Sequence, residues 1–312
     1  GVGVGRGVGA ATGAGGAASG QAPESPGSTP PRRRAAANGR PRRRTAEREY
    51  NGPYTGEYLN RVAFPMGGMG AGMICLEGTG ALSHVSLRNR PEVFNEPQTF
   101  AAVCVKGQTN TARVLEGPVP TWKAFGPGGS GNGSGGKTYG LPRFSEAAFR
   151  ARFPFGVVRL VDKKLPLAVE ITGWSPFTPP DPDPASMPIA ALEYRFANTS
   201  DATVDAVFSF NSRNFMTVDR REGHSVRPAK GGFMLYQAGS KDNPHEEGAF
   251  VAFVTEPDVK VNHAWFRGGW FDPLTMAWKD VQQGAAVERP AVTEGQPSPG
   301  GSLFVPFKLE AG

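Results

Sequence analysis

Phe64-Pro65-Met66-Gly67-Gly68-Met69-Gly70-Ala71-Gly72-Met73-Ile74-Cys75-Leu76 puts four glycines into six positions and then runs straight into apolar, strand-forming residues. Glycine reaches positive φ without a Cβ clash and lets a ligand or another backbone come close. A loop that cradles phosphate follows a strand and opens a helix. This one opens a strand, and its spacing is Gly68-x-Gly70-x-Gly72 rather than G-x-G-x-x-G. A dinucleotide-binding reading is excluded, and the segment marks the entry to a β domain.

The strands that follow carry the fold class. Ala190, Leu192, Tyr194 and Phe196 alternate with Ala191, Glu193 and Arg195, and Val204, Ala206, Phe208 and Phe210 alternate with Asp205, Val207, Ser209 and Asn211. Period two with one apolar face is the signature of a half-buried strand. The polar turn Asn198-Thr199-Ser200-Asp201 between them predicts an antiparallel hairpin. Further strands are expected over 81–87, 100–106, 111–115, 148–161 with a break near Pro154, 166–173, 232–237, 249–255 and 302–309. Many short strands with Gly and Pro between them predict an all-β, antiparallel, supersandwich-like β-sandwich over 50–312. One helix near 273–283 is expected from Leu274, Trp278 and Val281 at i, i+4 and i+7, with Gly284 as its stop.

The net charge of +6 belongs to the leader: residues 1–49 hold nine Arg, no Lys and three Glu, leaving 25 residues of each sign in the remainder. A neutral body argues against a nucleic-acid-binding domain. The leader is rich in Gly, Ala, Ser, Pro and Arg and has no aromatic residue before Tyr50, so it is expected to be a disordered tail. An organellar transit peptide is the other reading of an Arg-rich, acid-poor leader. No apolar run reaches the length of a secretory core or a membrane span, which points to a cytoplasmic protein with no transmembrane segment. Cys75 and Cys104 sit in apolar runs and read as buried thiols in a reducing compartment.

Several motifs tempt and fail. Gly131-Asn132-Gly133-Ser134-Gly135-Gly136-Lys137-Thr138 matches the phosphate-loop pattern, yet it lies in the glycine-dominated stretch 126–136, expected to be a flexible surface loop, with Pro142 soon after. His84, His224, His245 and His263 are scattered, with no pair at metal-ligand spacing, so no metal and no cofactor is expected. Asp181-x-Asp183 is a carboxylate pair among prolines, the mark of an exposed turn. Trp174, Trp265, Trp270 and Trp278 read as core or interface residues, or else as a platform on which sugar C–H faces stack.

Tyr54-Thr55-Gly56-Glu57-Tyr58-Leu59-Asn60-Arg61 with the glycine segment resembles the start of the non-catalytic N-terminal domain of glycoside hydrolase family 116, the β-glucosidases and non-lysosomal glucosylceramidases. Leu87-Arg88-Asn89-Arg90-Pro91-Glu92-Val93-Phe94-Asn95-Glu96-Pro97 resembles the linker after the second strand in bacterial members. Tyr139-Gly140-Leu141-Pro142-Arg143-Phe144, Ala151-Arg152-Phe153-Pro154-Phe155, Ile171-Thr172-Gly173-Trp174-Ser175-Pro176-Phe177, Ser209-Phe210-Asn211-Ser212-Arg213-Asn214-Phe215 and Gly268-Gly269-Trp270-Phe271-Asp272 follow in the family's order.

The resemblance implies a β-sandwich that packs on a C-terminal catalytic (α/α)₆ barrel, which this chain lacks. There a Glu nucleophile and an Asp acid/base hydrolyse β-glucosides or glucosyl lipids with retention, which needs carboxyls only about 5 Å apart. No residue here matches either catalytic position, so this chain alone is expected to be inactive. Its implied partner is the protein's own barrel. The loops at 65–72 and 88–97 are expected to rim the sugar pocket, with Gly68 and Gly70 allowing close approach and Arg88, Arg90, Asn95 and Glu96 supplying polar groups. The alternative to a scaffold domain is a free-standing carbohydrate-binding module.

Overall fold

The computed structural model describes residues 48–93, 95–124, 137–218 and 222–312. The expected tail before residue 48 and the glycine-dominated loop 126–136 lie outside the described residues. Residues 48–312 form one unit.

The strands run in chain order as β1 (Tyr54–Thr55), β2 (Ala63–Met66), β3 (Met73–Glu77), β4 (Leu82–Ser86), β5 (Thr99–Val105) and β6 (Arg113–Val114). They continue as β7 (Glu146–Arg152), β8 (Phe155–Val161), β9 (Leu167–Trp174), β10 (Ala191–Asn198) and β11 (Val204–Arg213). The last are β12 (His224–Ala229), β13 (Gly232–Gln237), β14 (Gly248–Phe253), β15 (Lys260–Asn262) and β16 (Gly300–Leu309). Two five-stranded sheets, β1-β7-β8-β9-β10 and β15-β16-β11-β5-β6, carry the bulk of the domain, and two three-stranded sheets, β12-β13-β14 and β2-β3-β4, complete it. The strand pairs are antiparallel, as the alternation predicts.

One hydrophobic core joins the two large sheets. Val158, Leu160, Val169 and Ile171 of the first meet Val103, Ala206, Phe208 and Leu303 of the second. Aromatic rings interlock across the layer: Tyr194 and Phe208 lie 4.9 Å apart, Phe196 and Phe307 4.8 Å. The far face of the second sheet is apolar as well, and a helix covers it. Helix α3 (Pro273–Gln282), the third after two short helical turns, α1 (Thr121–Ala124) and α2 (Pro182–Ala185), packs Leu274, Trp278 and Val281 on Phe100, Cys104, Val207 and Phe304. Asp272 caps α3 by accepting from the Thr275 amide at 3.0 Å, and Gly284 closes it at φ +61°.

The hairpin predicted around Asn198–Asp201 is corrected. β10 pairs with β9 at the edge of the first sheet, whereas β11 lies in the second sheet between β16 and β5. The turn is a corner from one layer to the other. Both strands present an apolar face, and these faces meet each other across the core through Tyr194, Phe196 and Phe208, which no local pattern distinguishes from edge-to-edge pairing. Cys75 and Cys104 are buried free thiols, and burial, with Glu77 adding to it, pushes Cys75 up to about 11.

Candidate functional site

Between β2 and β3 the glycine segment folds into a tight loop whose glycines have distinct duties. The Gly67 amide donates to Ser175 Oγ at 2.6 Å, and the Met69 amide donates to the Ala185 carbonyl of α2 at 2.9 Å. Gly68, between them, is buried so closely that a Cβ there would lie 2.3 Å from the Met187 carbonyl oxygen and 2.4 Å from that of Ser186. Gly70 sits at the tip with φ +74° and nothing within 4 Å of a Cβ position. Gly68 is required for contact, Gly70 for backbone conformation.

This docking welds the loop to the 175–189 segment. Met69, Phe177, Met187 and Ile189 are all exposed in the joined segments, and exposed Phe153 meets Phe177 edge-on at 5.0 Å. Exposed large apolar groups in one neighbourhood mark a contact surface.

The polar residues expected at the rim fall into separate surroundings. Arg88, at φ +53°, donates from Nη2 to the Met216 carbonyl at 2.9 Å, and burial lowers its pKa despite the opposing charge of Glu246. Arg90 makes a solvated ion pair with Glu92 at 3.1 Å. Asn95 acts as a surrogate strand for the edge of β4: its Oδ1 accepts from the Val85 amide at 2.7 Å, its Nδ2 donates to the Val85 carbonyl at 2.8 Å, and its carbonyl accepts from the His84 amide at 2.9 Å.

Glu96 belongs to a buried charge network. Lys123 Nζ, on α1, donates to both oxygens of Glu77 at 2.6 Å and to Glu96 Oε1. The Tyr139 hydroxyl donates to Glu96 Oε2. Arg143 donates from Nε to Glu116 at 3.2 Å and from Nη1 to the Thr138 and Leu141 carbonyls at 2.6 and 2.9 Å. Burial opposes the charge on Lys123, but Glu77 and then Glu96 outweigh it and hold the ammonium above its ordinary range. Burial pushes the Glu116 carboxyl up, with Arg143 offsetting only part of the effect. Burial, then the hydrogen bond to Glu96, holds the Tyr139 phenol high. With each carboxylate engaged by a cation, the cluster positions backbone and offers no free acid or base.

Sequence reading singled out Glu96 alone of this network. The signal available was Glu77 and Glu116, each ending an apolar run (Ile74-Cys75-Leu76 and Val114-Leu115), because carboxylates inside such runs need a buried cation. Lys137 and Thr138, the end of the phosphate-loop pattern, open a three-residue 3₁₀ turn, and Lys137 Nζ lies 4.0 Å from Glu96, so no helix N-terminus follows them. Asp181 caps α2 by accepting from the Asp183 amide at 3.1 Å. Trp265 and Trp278 are core residues, Trp174 donates to Glu193 on the surface at 2.9 Å, and Trp270 stands fully in solvent. Among the described residues no group of three or more His, Cys, Asp or Glu is placed to hold a metal.

A comparison with protein families matches residues 63–312 to the domain described as "beta-glucosidase 2, glycosyl-hydrolase family 116 N-term". The chain belongs to glycosyl hydrolase family 116. A search among curated proteins finds no match. The matched range opens at Ala63, the first residue of β2, so the family 116 N-terminal domain here takes in the glycine loop, the charge network and every strand but β1. Among the described residues no helix is long and apolar enough to cross a membrane.

Proposed function

We propose that this chain is the non-catalytic N-terminal sandwich of a retaining β-glucosidase or glucosylceramidase, working in the cytoplasm, and that the surface built from loop 65–72 and segment 175–189 docks on the catalytic barrel. The reading rests on the welded loop and its exposed apolar groups, Met69, Phe177, Met187 and Ile189. Large apolar groups left exposed together mark a site of contact with another surface. Through Gly70 at the loop tip the domain reaches the sugar pocket, and the family's carboxylate pair, absent from this chain, performs the hydrolysis. The polar groups of the 88–97 segment act behind the rim: Asn95 holds β4, and Glu96 holds α1 through Lys123.

In the full-length enzyme, Phe177→Asp with Met187→Asp should lower kcat/KM for aryl β-glucosides by about tenfold or more, the effect of misplacing catalytic parts by an ångström or so. The same substitutions should leave the circular dichroism of the 312-residue chain unchanged. Unaltered kinetics would sink the docking reading. The isolated chain should not hydrolyse aryl β-glucosides, and a turnover abolished by one Asp or Glu substitution within it would overturn the non-catalytic assignment. Tight binding of β-glucan oligosaccharides by the isolated chain, lost in Trp174→Ala, would favour a carbohydrate-binding module instead.

A further inference from the structure

A strand at the edge of a sheet carries unpaired amides and carbonyls, and proteins blunt such edges with charge, proline, shortness or a cover. The described edges of this domain are treated so, with one exception. β1 and β6 have two residues each and β15 has three. β10 carries Glu193 and Arg195, β12 carries Arg227 and Pro228, and β2 carries Pro65. β4 is capped by the Asn95 amide. β14 lies at the edge of its sheet beyond β13 and reads Gly248-Ala249-Phe250-Val251-Ala252-Phe253, six residues with neither charge nor proline. Ala249, Val251 and Phe253 are exposed, Phe253 to 62 %.

The order of side chains along this strand identifies what pairs with it. An antiparallel two-fold centred on Val251 sets Phe253 of one copy opposite Ala249 of the other, Phe250 opposite Ala252, and Val251 opposite itself. Each phenylalanine then faces an alanine on its own side of the sheet, where a large ring packs without collision, and within the strand no like charges meet. Shifting the axis by one residue to Phe250 or Ala252 breaks this match, because it sets Phe250 against itself or places Phe253 beside Val251. We propose that β14 is a self-association edge, at which two copies of this chain join their β12-β13-β14 sheets into one continuous six-stranded sheet. The association closes at two copies: pairing uses up both β14 edges, and the opposite edge carries Pro228. Five paired residues per copy bury well under the about 1,200 Å² of a standard interface, so dissociation is expected on the order of 10–100 µM.

Sedimentation of the 312-residue chain tests this across roughly 1–300 µM, a span bracketing that expectation. The mass should rise from 33.0 kDa toward twice that value. Ala249→Lys with Phe253→Lys sets like charges opposite each other at both ends of the pair and should weaken association at least about tenfold. Ala249→Glu with Phe253→Lys sets opposite charges there and should restore it. These positions face solvent, so circular dichroism should be unchanged in both variants. Should either variant fold poorly, hydrogen exchange on the unmodified chain gives the same answer, as amides of 248–254 gain protection with concentration. A chain that stays monomeric, a dimer indifferent to both charge patterns, equal loss in both variants, or growth beyond two copies would each overturn the proposal.

Discussion

Replacing Lys123 by Met keeps the length and apolar stem of the side chain and removes only the ammonium. In the native domain that ammonium is 5 % exposed and binds Glu77, itself 8 % exposed, through two contacts of 2.6 Å, with Glu96 as its third partner. The variant strands Glu77 in the interior, while Glu96 retains Tyr139. Deleting one member of a buried ion pair costs about 3–5 kcal/mol, since the remaining charge has lost both water and partner. For a domain of this size each kcal/mol moves the melting temperature by about 2–4 °C, so a fall of about 6–20 °C is expected. Urea unfolding at pH 7.5 followed by tryptophan fluorescence measures the free energy directly. The double variant Lys123→Met with Glu77→Gln removes the stranded charge and should recover at least about 1 kcal/mol, a coupling energy of the size found between contacting residues. A loss under about 1 kcal/mol, or a double variant no better than the single, would refute the view that this network holds α1 in place.

Two further outcomes are expected. Burial raises the Glu116 carboxyl in the folded state, so its contribution to stability is full below the ordinary carboxylate range and is lost as pH rises through the raised value. The stability of the native chain relative to Glu116→Gln should therefore decline as pH rises above the ordinary carboxylate range of about 4, and a difference that grows with pH would contradict the burial argument. Gly68→Ala drives a Cβ against the Ser186 and Met187 carbonyls and should destabilise the domain by more than about 2 kcal/mol, whereas Gly70→Ala meets no atom and carries only the left-handed backbone penalty of about 1 kcal/mol. Thermal melts of the two variants compare them, and equal losses would show that the loop is not pressed on α2.

What the chain determines by itself is local. The two-residue period of 190–196 and 204–211, the i, i+4, i+7 set of α3 and the glycine segment that opens β3 each state their conformation within a dozen residues, because pleat, helical pitch and φ freedom are properties of neighbouring residues. The family's ordered segments are legible for the same reason. What tertiary structure decides is which apolar faces meet and which charges pair. Two adjacent strands with apolar faces read alike whether they join edge to edge or face each other across a core, and only closure of the whole core sends β10 and β11 to different sheets. Gly68 and Gly70 are equivalent in sequence and differ because the residues that follow α2, over a hundred positions later, return to lie against the first of them. Glu77, Glu96, Glu116, Lys123 and Arg143 form one network because the low dielectric of the interior demands a partner for every charge that folding brings inside, wherever in the chain that partner lies.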